Sequence, residues 1–304
     1  MVMTLKLLFV ADSPASIASI QPLLKTVNKA DYQLLNISPF SRTVFKDGLE
    51  FDSIEEYLQS TDSSDFSNET IVVYGTGSGH EREVTLPNKL SNNKCIAIHD
   101  LPYIDESQIE SRNYKSAYQV IVPNNMVAEL IDEHLKKSVS VCLGNPNLDP
   151  DNDKYKSPDK GSSKKIVFLS SCDGVEFVND TDPICQKAIL KIIEDNLFGC
   201  NEYGLHVCLH PRENANFVET LSGNVSFSRG NTTECLHHYN TAISVFSVCI
   251  LESLLVENKT YKMVPDNYEE LLLEQCYLSD YSIVKGSIGK VTQYLEELTS
   301  RALV

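Results

Sequence analysis

Short apolar runs, each stopped by a polar or turn-forming residue, recur along most of the chain. They occupy residues 6–11, 32–37, 70–74, Cys95–Ile98, 118–122, 139–143, 166–169, 205–209 and 241–245. Runs of this length between Gly, Pro, Asn, Asp or Ser predict buried strands rather than helices. After several of them the spacing becomes helical. In residues 16–28, Ile17, Ile20, Leu23, Leu24 and Val27 fall on one side. Residues 126–135, 182–198 and 249–257 read the same way, and residues 53–58 form a short capped helix. Ser287–Ala302 gives a final amphipathic helix, with Ile288, Val291, Leu295 and Leu298 spaced for burial. Strands alternating with helices form βα units around parallel sheets, so the expected class is α/β.

Residues 149–165 interrupt the alternation. They are rich in Asp, Lys, Ser, Pro and Gly and carry no apolar period, as a linker does. The division expected is a Rossmann-like domain over residues 1–150, a linker over 151–164 and a second Rossmann-like domain over 165–304, the two facing across a cleft.

The net charge of −16 argues against nucleic acid as a partner and against docking on anionic membranes. A nucleotide-sized anion is compatible with it, because helix N-termini and a few cations suffice locally. None of the nine cysteines stands in a Cys-x-x-Cys pair, and Cys142, Cys208 and Cys249 sit inside apolar patterns. That usage fits a reducing compartment. No apolar run approaches the roughly 18 residues of a membrane span, and residues 1–10 enter the first strand without a basic region and cleavage site. The expectation is a cytoplasmic chain without a membrane span.

In open α/β sheets, ligands bind outside the carboxyl ends of the strands, so residues at those ends are the site candidates. Residues 205–209 end on His210-Pro211. Residues 241–245 run through Phe246 and Ser247 into a helix bearing Glu252, and residues 166–169 end on Ser170-Ser171. A hydroxyl and free N–H groups at a helix start suit a phosphate oxygen. Pro211 also serves simply to end a strand, and Ser247 to cap a helix. In the first half the strand ends carry Asp12, and His99 with Asp100; both positions are equally ordinary turn sites. Gly75-Thr76-Gly77-Ser78-Gly79-His80 also follows a strand. However, the phosphate-binding fingerprint requires a helix directly after it, and residues 81–93 show no helical pattern. His237, His238 and Glu234 lack metal-site spacing, so no metal and no cofactor are expected.

His-Pro after one strand, with Ser247 opening a later helix, resembles the bacterial sialyltransferases of the GT-B class. It also resembles the transferases that use CMP- or CDP-activated donors, among them the CDP-glycerol polyol-phosphate transferases. The strand ending on His99, and Gly144-Asn145-Pro146 leading to Asp149, resemble the N-terminal half of the latter. The chain departs from that family around His99, since it has no Trp and Asp100 follows the histidine. The acidic Asp-Asp-Gly or Glu-Asp-Gly motif of sialyltransferases has no match in the first half.

The resemblance implies a GT-B-like transferase. His210, Pro211 and Ser247 would hold the donor phosphate, with Ser170 and Ser171 adding hydrogen bonds and Glu252 placed on the donor ribose. Asp12, His99 or Asp100 would act on the acceptor hydroxyl. The donor would carry a sugar, a CMP-activated nonulosonic acid being one option, or a polyol phosphate, and the acceptor would be a surface glycan. That reaction would place the chain in polysaccharide biosynthesis. Two alternatives stay open: a nucleotide-sugar epimerase or hydrolase on the same fold, and a non-catalytic partner subunit that binds glycan or nucleotide.

Overall fold

The central strand of the first unit, β1 (Leu7–Ala11), is buried along its whole length, as a parallel strand covered on both faces must be. Its side chains alternate between two cores. Leu8 and Val10 enter one; Leu7, Phe9 and Ala11 enter the other. The computed structural model describes residues 5–60, 65–76, 81–102, 104–156, 165–170, 204–209, 225–229, 232–244, 249–262 and 286–302. The chain forms two compact units, one of residues 1–152 with 277–304 and one of residues 153–276.

In the first unit β1 is followed by α1 (Pro14–Leu24), β2 (Tyr32–Asn36), α2 (Pro39–Val44), β3 (Leu49–Glu50), α3 (Ile54–Gln59) and β4 (Ile71–Gly75). Then come α4 (Glu81–Val84), α5 (Leu86–Lys89), β5 (Cys95–Ile98), α6 (Glu106–Ser111), β6 (Gln119–Val122), α7 (Asn125–Leu135) and β7 (Ser140–Cys142). The seven strands lie in the order β3-β2-β1-β4-β5-β6-β7, all parallel. The order reverses between β1 and β4, which makes that pair the topological switch point.

Two helices start with the same device. Ser13-Pro14-Ala15-Ser16 and Ser38-Pro39-Phe40-Ser41 each form a capping box with proline in the first turn. The serine accepts a backbone N–H, and proline, lacking one, loses nothing there. Residues 81–93 correct the reading from sequence: they contain α4 and α5. Leu86 and Leu90 are buried in the core, so tertiary packing supports helices too short to show a period of their own.

The second unit contains β8 (Lys165–Leu169), β9 (Gly204–Leu209), β10 (Val225–Arg229), α8 (Thr232–His237), β11 (Thr241–Ser244), α9 (Cys249–Leu255) and β12 (Lys259–Lys262). Among the described residues its strands run in the order β10-β9-β8-β11-β12, again parallel. Val167, Leu169, Cys208, Leu236, Ala242 and Val256 form its core. Both units therefore show the Rossmann-type strand order. The helix expected over residues 182–198 lies outside the described residues.

The last helix, α10 (Ser287–Ala302), was grouped by sequence with residues 165–304. In the structure it packs on the first unit, where Val291, Leu295 and Leu298 join the core that holds Ile17, Ile20 and Leu23 of α1. Asp149 fixes its start. The carboxylate of this fully buried residue accepts the N–H groups of Gly286 at 3.0 Å and Ile288 at 2.8 Å, and also that of Asp151 at 3.0 Å. An acidic side chain there satisfies orphan donors and suits the helix dipole. Asp149→Ala removes the acceptor of three N–H groups and is expected to cost roughly 2 kcal/mol. Urea denaturation followed by circular dichroism would measure it; an unchanged midpoint would contradict this role.

Candidate active site

Thr76 follows β4 and His99-Asp100 follows β5, so sheet register brings all three to one edge. The remaining members come from the segment after α6. Asn113 adopts a left-handed conformation with φ of 54°, which asparagine tolerates better than most residues. Across it, both Arg112 and Tyr114 are buried, at 2% and 0% exposure. Asn113 is itself tied down, its side-chain N–H donating to the Val84 carbonyl at 2.8 Å.

These five side chains form one network, buried except for the partly exposed Asp100. Arg112 Nη1 donates to Asp100 Oδ1 at 2.6 Å and lies 3.2 Å from both Thr76 Oγ1 and His99 Nδ1. The Tyr114 hydroxyl is 2.7 Å from His99 Nδ1 and 2.9 Å from Thr76 Oγ1. Arg112 Nη2 is buried without a hydrogen-bond partner among the described residues. Burial opposes the charge on Arg112, but Tyr114 and Asp100 outweigh it and hold its pKa above the usual value. Burial pushes the Tyr114 phenol up to about 12, so it remains a hydroxyl and a donor at neutral pH. The Asn145 side chain donates to the Asp100 carbonyl at 2.7 Å, linking the network to the segment that precedes Asp149.

Asp12, at the end of β1, lies at the switch point and is 3% exposed. Its carbonyl accepts from Ser38 Oγ at 2.6 Å. The N–H groups of Asp12 and Ser13 donate to Glu83 Oε1 at 3.0 and 3.2 Å, and Ser13 Oγ donates to Glu83 Oε2 at 3.0 Å. The carboxyl of Glu83 therefore sits against the turn that leads from β1 into α1 and takes two of its amides, groups of the kind that bind anions at helix starts. Burial raises the Glu83 pKa to about 7, against the lowering effect of the hydrogen bonds from Ser16 and Ser13.

The structure thus places Asp12, His99 and Asp100 at strand ends of one sheet and brings His99 and Asp100 into a single network. The sequence reading missed Thr76, Glu83, Arg112 and Tyr114. Arg112 and Tyr114 carry no local signal: a charged residue closing a helix is ordinarily solvated. Glu83 follows a glycine-rich turn, and the sequence offered no reason to fold it inward.

In the second unit, β8 lies between β9 and β11. The strands preceding His210 and Ser247 are therefore not neighbours, but they end at the same edge with Ser170 between them. Ser170 is 4% exposed, and its N–H donates to the Cys208 carbonyl at 3.0 Å. His210, Pro211, Ser171 and Ser247 lie outside the described residues. Glu252, in the first turn of α9, accepts from Lys154 Nζ at 3.2 Å and from Thr233 Oγ1 at 2.8 Å. It ties α8 and α9 to the turn Asp153–Tyr155. His237 Nε2 is 2.7 Å from the Lys154 carbonyl, so this histidine braces the same turn. Among the described residues no helix is long and apolar enough to cross a membrane.

No family model matches the chain, and no curated protein matches it in sequence. Solved structures do match, over nearly its whole length. The UDP-GlcNAc 2-epimerase from Methanocaldococcus jannaschii is 13% identical with a TM-score of 0.60, covering 98% of this chain and 100% of its own. The wall teichoic acid polymerase TagF is 12% identical with a TM-score of 0.59, covering 98% and 90%. HepE of Anabaena, solved with UDP and glucose, is 10% identical with a TM-score of 0.54, covering 98% of each chain. Likeness at such identity speaks to architecture, and with the two parallel sheets it establishes that this chain has the GT-B fold.

Proposed function

We propose that this protein is a GT-B-type glycosyltransferase that moves a sugar or polyol phosphate from a nucleotide-activated donor to a glycan acceptor. The observation that carries the reading is the Thr76–His99–Asp100–Arg112–Tyr114 network at the strand ends of the first sheet. A cluster of titratable groups there, including a buried guanidinium, is costly to stability and coincides with the position where this fold binds ligands. In this reading Asp12, His99 and Asp100 handle the acceptor. His210, Pro211 and Ser247 hold the donor phosphate, with Ser170 and Ser171 adding hydrogen bonds. Glu252, braced by Lys154 and Thr233, faces the donor ribose. No His, Asp, Glu or Cys set in the sequence has zinc spacing, so the reaction proposed is independent of metal.

The donor is cytidine-activated in the resemblance to sialyltransferases and CDP-glycerol transferases, whereas the HepE structure was solved with UDP and glucose. Thermal unfolding with CMP, CDP, UDP, GDP or ADP, repeated on His210→Ala, separates these cases. A nucleotide at about 100 times its Kd adds about 2.7 kcal/mol to native stability. Stabilisation by CMP or CDP, lost in the variant, supports a cytidine donor, and stabilisation by UDP points to a hexose donor. No response to any nucleotide would sink the transferase reading and leave a glycan-binding subunit. The likeness to a UDP-GlcNAc 2-epimerase favours a second reading, epimerisation of a nucleotide sugar. Turnover of UDP-GlcNAc without any acceptor would establish it.

A further inference from the structure

We propose that Arg112 is a positioning residue that fixes the protonation of His99, holding the imidazole neutral with its hydrogen on Nε2, so that His99 does not take the proton of an acceptor hydroxyl. The argument is a count of hydrogens. A guanidinium nitrogen only donates, and Arg112 Nη1 lies 3.2 Å from His99 Nδ1. A hydrogen on Nδ1 would oppose an N–H of a cation, so Nδ1 is the acceptor. The hydroxyl 2.7 Å away then donates to the same lone pair, while the Thr76 hydroxyl, 2.9 Å from that of Tyr114, donates to the Ile98 carbonyl at 3.3 Å.

With Nδ1 accepting, the single hydrogen of a neutral imidazole is on Nε2. Adding a second would place two cations in contact in a site without exposure, where His99 and Tyr114 are 0% and Arg112 2% accessible. The groups that face Nδ1 include Arg112 and Tyr114, from the segment after α6, and Asp100 follows the histidine on its own strand end. Asp100 does not reverse the assignment, because its Oδ1 engages Arg112 Nη1 itself at 2.6 Å. A carboxylate, Asp12 or Asp100, is then left to receive the acceptor's proton. That last step rests on the transferase reading; the tautomer does not.

The test uses the full chain without nucleotide. Histidine labelled with 15N would be followed by long-range proton–nitrogen correlation between about pH 5 and 8, the range in which an ordinary imidazole changes charge. The His99 signals are identified by their loss in His99→Gln. The expected result is an unprotonated Nδ1, a protonated Nε2 and no titration shift across the range. In Arg112→Met, and to a smaller degree in Tyr114→Phe, a titration shift and mixed tautomers should appear. A hydrogen on Nδ1 in the wild type, or an ordinary titration, would overturn the proposal, as would an unchanged His99 spectrum in a folded Arg112→Met. If Arg112→Met does not fold, the wild-type spectrum and Tyr114→Phe still decide. The nucleotide panel reads the donor site and this spectrum reads the first sheet, so either can fail without the other.

Discussion

Gly75→Ala is expected to destabilise the first unit by roughly 3 kcal/mol or more, at the upper end of overpacking costs. A Cβ at Gly75 would lie 2.3 Å from the Cα and 2.4 Å from the Cβ of Ser16. The first of these is backbone in the opening turn of α1, directly beside the Ser13 cap, and it cannot swing aside as a long side chain can. Relief would require α1 to lift from β4, disturbing the core that Ile17, Ile20 and Leu23 share with α10. Gly204→Ala is the control, because a Cβ there meets nothing within 4 Å. The chain has no Trp, so urea unfolding would be read by circular dichroism and tyrosine fluorescence. Equal midpoints for the two variants would refute the close approach of α1 to β4. The first glycine of the Gly75–His80 run therefore has a packing reason to be glycine, independent of any ligand.

Glu83→Gln should change the pH dependence of stability by about 3 kcal/mol between about pH 4.5 and pH 7. Burial raises the Glu83 pKa from 4.5 in the unfolded chain to about 7 in the folded one. Between those values the native state holds a proton that the unfolded state has released. Stability from this group is therefore greatest below pH 4.5, falls as pH rises, and levels off above about 7. Glutamine keeps the shape and an acceptor for the Asp12 and Ser13 N–H groups, but it cannot ionise. The melting temperature of the variant relative to wild type should rise from pH 5 to about pH 7 and change little between pH 7 and pH 8. A difference that stays flat with pH would mean that the folded carboxyl titrates as it does in the unfolded chain. Comparing variant with wild type at each pH cancels the general effect of a chain carrying −16.

These two residues show how much of the site could be read in advance. The strand ends were legible, because a run of buried residues stopped by Asp12 or by His99-Asp100 marks the rim of a parallel sheet. The second capping box was legible in principle as well, since Ser38-Pro39-Phe40-Ser41 repeats the logic of Ser13-Pro14-Ala15-Ser16. The fate of Arg112, Tyr114 and Glu83 was not. Charged and phenolic side chains are usually solvated, and their burial here depends on partners far along the chain. Glu83 meets backbone amides 70 and 71 positions away. Arg112 meets a threonine 36 positions away on another strand end.

By itself the sequence determined the class of fold, the succession of strands and the amphipathic last helix, because hydrophobic period and turn chemistry act over a few residues at a time. It also placed Asp12, His99 and Asp100 at strand ends, since a strand's end is a local event. Strand order, the switch points beside β1 and β8, the return of α10 to the first unit and the network around His99 were decided only by the tertiary structure. Each of these depends on which distant segments share a core or complete a hydrogen bond, and no local period encodes that choice.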